Sequence, residues 1–453
     1  MDISDTICAL STPPGRSGIA VARLSGEGCM TILRQISGET TLEPRKACLR
    51  RLSDPRSGEE IDEAVVTFFK APHSYTGEDL AEISTHGNPA VIASLIDTLC
   101  HLGARLALPG EFTMRAFLRG RIDLAGAEAI RDIIEARTLY QARAAQRQQG
   151  GALSKELQPV KDRLIEAIVS LESAVEFAEE DLPAASREAI FDSLRGAARI
   201  VENLIRSFRK GRFVREGFTL AIVGTPNAGK SSVFNALVGR DRSIVTDIPG
   251  TTRDIVAEDA DIGGIPVRLQ DTAGLRAAVG EIEKLGMERS RRAAADADIV
   301  LLVVDASRSL TEEEYVLRQQ LAPPEGIVIF NKSDLPASVT EEEKQALSGS
   351  WPYIGASAKT GHGIGHVRSV ILERISGGED TDGFMITNLR HCQALEKALA
   401  GLEHGEGALR KGLPEEFALF DLRGALDALG EITGETGVEN LLDEIFSRFC
   451  IGK

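Results

Sequence analysis

The sequence predicts a multidomain chain of mixed α/β and α class, on three observations. Residues 216–376 alternate short apolar runs with helix-period stretches, the pattern of a mostly parallel sheet covered on both faces. On either side of that segment apolar residues recur at steps of three and four, as amphipathic helices require. Residues 1–120 mix strand-like and helical pieces, which reads as a compact α+β domain. The expected division is 1–120, 121–215, 216–376 and 377–453, with the two helical parts pairing as one discontinuous domain around an inserted α/β domain. Insertion of this kind is easy because domain termini commonly lie close together.

Bulk properties narrow the function classes. A chain of 453 residues has length for about two to four domains, and 43% hydrophobic with 26% charged residues is ordinary for a soluble globular protein. Fifty-two basic against 68 acidic residues leave a net charge of −16, which argues against a general nucleic-acid coat while leaving room for a local basic patch. No run is long and apolar enough to span a bilayer, and the acidic start MDISDTICAL lacks a basic n-region, so no membrane is expected. Six scattered cysteines without a C-x-x-C pair predict a reduced, cytoplasmic chain that is neither a zinc ribbon nor a disulfide scaffold.

In chain order, residues 19–24, 64–69 and 80–84 read as strands, and Pro89 to Leu102 as a helix ending near Gly103. Arg23, Glu82 and His86 lie in this part and, on spacing alone, read equally as surface or satisfied polar groups. Val160, Leu164, Ile168, Leu171 and Val175 mark one helix, and Leu194, Ala197, Val201, Leu204 and Phe208 another. Arg206, Arg209, Lys210, Arg212 and Arg215 then cluster. A solvated helix face or linker is the first reading of such a run and a nucleic-acid patch the second. Beyond residue 380 helical spacing returns at Leu395, Leu399 and Leu402, at Leu422, Leu426 and Leu429, and at Leu441, Leu442 and Ile445.

The chemistry is concentrated in the α/β segment. FTLAIVGTPNAGKSS runs from an apolar strand through Gly224-Thr225-Pro226-Asn227-Ala228-Gly229-Lys230-Ser231 into a helix start at Ser232, which is G-x-x-x-x-G-K-[ST] in its strand–loop–helix setting. The glycines let backbone wrap a phosphate, Lys230 reaches the β/γ-phosphates, and the Ser231 hydroxyl suits Mg²⁺. The polar stretch from Val245 to Asp254 offers Thr251 or Thr252 to close over the metal and γ-phosphate. Asp271, at a strand end before Thr272-Ala273-Gly274, is the Walker-B carboxylate, and Gly274 permits backbone approach to the γ-phosphate. Asn331-Lys332-Ser333-Asp334 and Ser357-Ala358-Lys359 complete the set. The Asp334 carboxylate can take both N1–H and N2–H of guanine, whereas adenine would leave it unpaired. The segment therefore reads as a Ras-like P-loop GTPase domain. Leu275 stands where Ras-like enzymes place a water-orienting glutamine, so a carboxylate must come from elsewhere, Glu281 and Glu283 being the nearby candidates. Arg253 is a candidate positive charge, and Asn227 offers an oxygen suited to a monovalent cation.

GTPNAGKSS, TDIPGTTRD, DTAGLR, NKSD and the final Phe449-Cys450-Ile451-Gly452-Lys453, together with TGEDLAEISTHGNPAV and PGEFTMRAFLRGRIDLAGAEAI, resemble the MnmE (TrmE) family of bacterial tRNA modification GTPases over the whole chain. The resemblance implies a homodimer that works with the flavoprotein MnmG (GidA) as a heterotetramer, FAD residing on that partner only. The pair would add an aminomethyl or carboxymethylaminomethyl group at C5 of the tRNA wobble uridine. It also implies a one-carbon donor, 5-formyltetrahydrofolate or methylenetetrahydrofolate, bound by an N-terminal folate-binding and dimerisation domain through Arg23, Glu82, Arg121 and Lys453. Arginine at 121 departs from the lysine the family commonly shows there. The motifs carry over as GTP contacts at Asn227, Ala228, Gly229, Lys230, Ser231, Ser232, Thr246, Asp247, Ile248, Pro249, Gly250, Thr251, Thr252, Asp271 to Gly274, Asn331 to Asp334 and Ser357 to Lys359. Within these, Ser231 and Thr252 match Mg²⁺ ligands, and Asn227, Thr246, Ile248 and Thr251 match K⁺ ligands. Glu283 matches the water-positioning glutamate, with K⁺ supplying the charge an arginine finger gives elsewhere. Cys450 is read either as a nucleophile toward uridine C6 or as a tail residue that packs and seals the site. A regulatory GTP switch in ribosome assembly, without modification chemistry, is the rival reading. A membrane GTPase of iron transport stands behind it for want of spanning helices.

Overall fold

The structure, a computed structural model, describes residues 4–38, 42–176, 184–239, 256–271, 294–321, 325–376, 384–436, 442 and 445–452. The chain divides into two compact units, one of residues 1–131, 146–194 and 400–453, the other of 132–145 and 195–399.

In the first unit β1 (Thr6–Leu10), β2 (Ser17–Ser25), β3 (Ala47–Ser53), β4 (Glu60–Phe69), β5 (Leu80–Gly87) and β6 (Ala104–Leu106) form one sheet in the order β3-β4-β5-β2-β1-β6. Neighbours run antiparallel except β1 and β6, which are parallel. Period-two alternation sends Ala64, Val66 and Phe68 of β4, with Ala22, Leu24, Ala81 and Ile83, into one core. Helices α1 (Cys29–Ser37) and α2 (Pro89–His101) cover that face with Ile32, Leu33, Ile36, Leu95 and Leu99. Helix α2 starts where expected because the Asn88 side chain accepts from Ala90 N and Pro89 occupies the first turn. The strands expected at 19–24, 64–69 and 80–84 fall inside β2, β4 and β5. Strands β1, β3 and β6 are additional.

Four more helices follow, α3 (Glu111–Leu118), α4 (Leu124–Glu135), α5 (Leu139–Gln149) and α6 (Ala152–Glu176). Val160, Leu164, Ile168 and Leu171 are buried along α6, the stripe the spacing predicts. Helix α7 (Ala184–Glu216) likewise buries Leu194, Ala197, Val201 and Leu204.

In the second unit β7 (Phe218–Val223), β8 (Val256–Ile262), β9 (Ile265–Asp271), β10 (Ile299–Asp305), β11 (Gly326–Asn331) and β12 (Tyr353–Gly355) order as β12-β11-β10-β7-β9-β8. All pairs are parallel except the β8–β9 hairpin. Strands β10 and β11 are buried from end to end, which is why they read as unbroken apolar runs. Helices α8 (Lys230–Val238) and later α11 (Ile364–Ser376) pack on one face of the sheet, α9 (Glu312–Gln320) and α10 (Glu341–Ser348) on the other.

Four of the five cations in the basic run on α7 are paired within this unit. Arg206 pairs with Glu202, Arg209 with Glu325, Arg212 with Asp298 and Arg215 with Asp132. Four paired guanidiniums favour the helix-face reading over a nucleic-acid patch. Helix α12 (Leu389–Arg410) enters the first unit at residue 400, where Gly401 lets α13 (Glu415–Thr433) approach closely: a Cβ there would meet Asp421 O at 2.7 Å. All six cysteines are free. Among the described residues no helix is long and apolar enough to cross a membrane.

Candidate nucleotide site

The carboxyl ends of β7, β9, β10 and β11 meet at one edge of the parallel sheet, the edge where open α/β sheets bind ligands. Residues 224–229 turn there between β7 and α8. Gly224 admits no side chain, since a Cβ would lie 2.3 Å from Val303 O. Gly229 sits at φ +93°, and a Cβ on it would lie 2.2 Å from the Asn331 amide nitrogen. Asn227 also holds a left-handed conformation, φ +62°. The loop therefore follows a path that only this residue pattern permits, and it delivers the N-terminus of α8 to the site. The Lys230 ammonium folds over the loop and donates to Gly224 O and Thr225 O, 2.9 Å each.

The base end is anchored as firmly. Asn331 is 2% exposed. Its Nδ2 donates to Ala228 O at 3.0 Å, and its Oδ1 accepts from Ala358 N at 3.1 Å. One amide thus ties the phosphate loop, the end of β11 and the Ser357–Lys359 turn together. Ser357 donates to Asp334 Oδ1 at 2.6 Å and accepts from Thr360 N. That hydroxyl, helped by the charges of Lys359 and Lys332, holds the Asp334 carboxyl below the usual carboxylate range. Asp334 itself is exposed, an ionised acceptor facing solvent.

Two groups at this edge were not among the residues expected from sequence. Asp305, at the end of β10, accepts from Lys332 Nζ at 2.6 Å. Glu314, fully buried on α9, accepts from Thr225 Oγ1 of the phosphate loop at 3.1 Å, from Thr311 N and Oγ1, and from Arg308. Burial pushes the Glu314 carboxyl up, but those donors outweigh it and hold it below the ordinary range. Each had a faint signal, an acid closing an apolar strand and the T-x-x-E of a capping box.

Of the remaining expected nucleotide and metal residues, Thr246 to Thr252, Thr272 to Gly274, Glu281 and Glu283 lie outside the described residues. Asp271 closes β9, with its backbone in register with Ile222 of β7.

The expected folate residues lie in the first unit. Arg23 and Glu82 are cross-strand partners on β2 and β5, and Arg23 Nε and Nη2 both reach Glu82 Oε1, at 3.0 and 2.8 Å. The Arg23 guanidinium lies 5.3 Å from the Tyr75 ring centre, and Tyr75 hydrogen-bonds Thr113. Arg121 lies beside Gly77. The tail docks close by: Ser11 Oγ donates to Gly452 O at 3.0 Å, while Ser11 N reaches across to Val21 O, two residues from Arg23. Gly110 N donates to Cys450 O, leaving the Cys450 side exposed. Lys453 is outside the described residues. His86 pairs with Asp62 through Nδ1 at 2.9 Å, a satisfied surface contact.

The family described as GTP-binding protein TrmE N-terminus matches residues 6–121, and the family described as MnmE helical domain matches residues 124–450. Relatives cover the full length. The tRNA modification GTPase MnmE of Koribacter versatilis (strain Ellin345) is 47% identical over all of both chains. The protein of that name from Aquifex aeolicus (strain VF5) is 41% identical over 99% of this chain and all of its own. The protein of that name from Thermoanaerobacter pseudethanolicus is 40% identical over all of both chains. Among solved structures, the G domain of the T. maritima FeoB iron transporter is similar over 34% of this chain and 97% of its own, at 26% identity and a TM-score of 0.27. On the two matched domains and this identity over full length, the chain belongs to the MnmE (TrmE) family.

Proposed function

We propose that this chain is a GTP hydrolase acting in tRNA modification. The observation that carries the reading is the anchored base end, where Asn331 is tied to the phosphate loop and an ionised Asp334 is held by Ser357. A fixed carboxylate selects guanine through N1–H and N2–H. Lys230 and the N-terminus of α8 then take the phosphates, a phosphate oxygen being a stronger acceptor than the loop carbonyls Lys230 now holds. Family membership extends the reading to tRNA.

The finer proposal keeps three parts: a folate-binding α+β domain (1–120), a helical domain (121–215 and 377–453) and the inserted GTPase domain (216–376). Ser231 carries a hydroxyl in the first turn of α8 and Asn227 an amide oxygen in the loop itself, a donor set that fits Mg²⁺ and K⁺ respectively. Thr252 and Asp271 would complete the Mg²⁺ site, and Thr246, Ile248 and Thr251 the K⁺ site. The ions supply positive charge to the phosphates, and Glu283 orients the attacking water. Two GTPase domains pair in a homodimer. Arg23 and Glu82 offer a donor fork and a carboxylate, a set that fits a pterin edge, and Arg121 and Lys453 would join them. Tetrahydrofolate supplies the one-carbon unit there, with MnmG as flavoprotein partner, in the cytoplasm.

Hydrolysis by the purified chain is expected to run faster in potassium than in sodium buffer. Glu283→Ala should bind GTP yet turn it over about a hundredfold more slowly. Equal rates in both buffers refute the K⁺ site, and an undiminished Glu283→Ala rate returns the role to Glu281 or another group. Mass analysis of wobble uridines from cells lacking the chain should show the modification missing; an unchanged profile removes the tRNA role.

A further inference from the structure

Asp305 lies outside every nucleotide motif of the sequence, yet it faces the guanine-reading segment across the sheet. Its Cα is in register with that of Asn331, and Ala306 N donates to Asn331 O at 3.0 Å. The residue is 7% exposed and both carboxylate oxygens are engaged. Oδ1 accepts from Ser307 N at 3.0 Å and Ser307 Oγ at 2.6 Å, while Oδ2 accepts from Lys332 Nζ at 2.6 Å. The turn at Ser307 therefore fixes the carboxylate, and the carboxylate fixes the lysine.

Lys332 is in turn held at its backbone. It adopts φ +64°, a conformation unfavourable for a side-chain-bearing residue, between the anchored Asn331 and Ser333, whose N–H donates to Ala356 O. With backbone and ammonium both pinned, the four-carbon stem between them is confined, two residues from the base-reading Asp334. A free lysine stem would have to be ordered when a nucleotide docks, at a cost of about 0.5–1.5 kcal/mol.

We propose that Asp305 is a positioning residue for the guanine nucleotide, holding the Lys332 side chain in its base-site conformation before the base arrives. This rests on the guanine site proposed above. A purely structural ion pair would change thermal stability alone. A positioning role acts through Lys332, and because an aliphatic stem does not read base edges it acts on any purine that enters the site.

The test titrates the full chain with GDP and with inosine diphosphate, which lacks the N2 amino group. Asp305→Asn keeps the side chain's shape and an oxygen for Ser307. It is expected to weaken both ligands by the same factor, about two- to tenfold from the ordering cost above, with the loss in GTP turnover falling on KM. Lys332→Met, which keeps an unbranched stem without the ammonium, should weaken both ligands alike, and adding it to Asp305→Asn should cost nothing further. Additive losses, loss of GDP binding alone, or unchanged affinities overturn the proposal. Should Asp305→Asn fail to fold, Lys332→Met decides: unequal or absent effects on the two ligands overturn it. Failure of the unmodified chain to bind GDP would instead remove the guanine-site reading.

Discussion

Asn331→Ala isolates the amide that joins the two ends of the nucleotide site. It removes two neutral hydrogen bonds, to Ala228 O and from Ala358 N, each worth about 1 kcal/mol net. It also strands the Ala228 carbonyl, whose residue is fully buried, at about 1 kcal/mol or more. The sum is about 3 kcal/mol. If the loop must hold its present path to accept a phosphate, this appears as a loss of about a hundredfold in GDP affinity, at 1.4 kcal/mol per tenfold. Calorimetric titration with GDP measures it, and thermal unfolding of the same sample separates lost binding from lost folding. Asn331→Asp refines the result. It keeps an acceptor for Ala358 N but sets an oxygen against the Ala228 carbonyl, so it should bind no better than Asn331→Ala. A folded Asn331→Ala variant that binds GDP within threefold of the parent would refute the idea that this amide sets the loop.

Two further outcomes follow from the ion networks. The Asp334 carboxyl sits below its ordinary value because of Ser357, so its charge persists above that lowered value and is lost as pH falls through it. Ser357→Ala should move the loss upward toward the ordinary aspartate value, so that on acidification GDP binding by the variant fades while the parent still binds; superimposable pH profiles would count against this. In the N-terminal domain Arg115 is fully buried against Glu78, Glu111 and Asp5. Arg115→Ala removes the one cation the three acids share, leaving Glu111 and Asp5 to Arg105 and Glu78 to Arg119, and should destabilise that unit by about 3 kcal/mol, read as a lowered midpoint of its unfolding transition; a midpoint within about 2 °C of the parent would show the network to be dispensable.

What the sequence made legible was set by periodicity and by residues that admit few backbones. Strands β10 and β11 announce themselves because a central parallel strand is buried on both faces, and α6 because its stripe repeats over many turns. The phosphate loop was readable because Gly224 and Gly229 stand where Val303 and Asn331 leave no room for a side chain. Strand β6 carried no such signature, being three residues long, and β3 hides behind Arg50 and Arg51. Asp305 and Glu314 escaped for a different reason. Their partners, Lys332 and Thr225, are 27 and 89 positions away, and no local pattern encodes a contact made only when strands and helices pack. The resemblance supplied Arg23 and Glu82 together, and the β2–β5 register sets them opposite one another.

The bond from Ser11 to Gly452 joins positions 441 residues apart. Synthesis is vectorial, and domains generally fold in the order they emerge. The sheet of residues 6–106 is therefore available long before the segment that docks beside β1 has left the ribosome. During translation the carboxyl end of β1 at Ser11 stands bare, and any ligand site that needs both Arg23 and the docked tail stays incomplete. A nascent chain arrested before residue 450 would accordingly carry the nucleotide loop and its sheet while Ser11 still lacked its partner at Gly452.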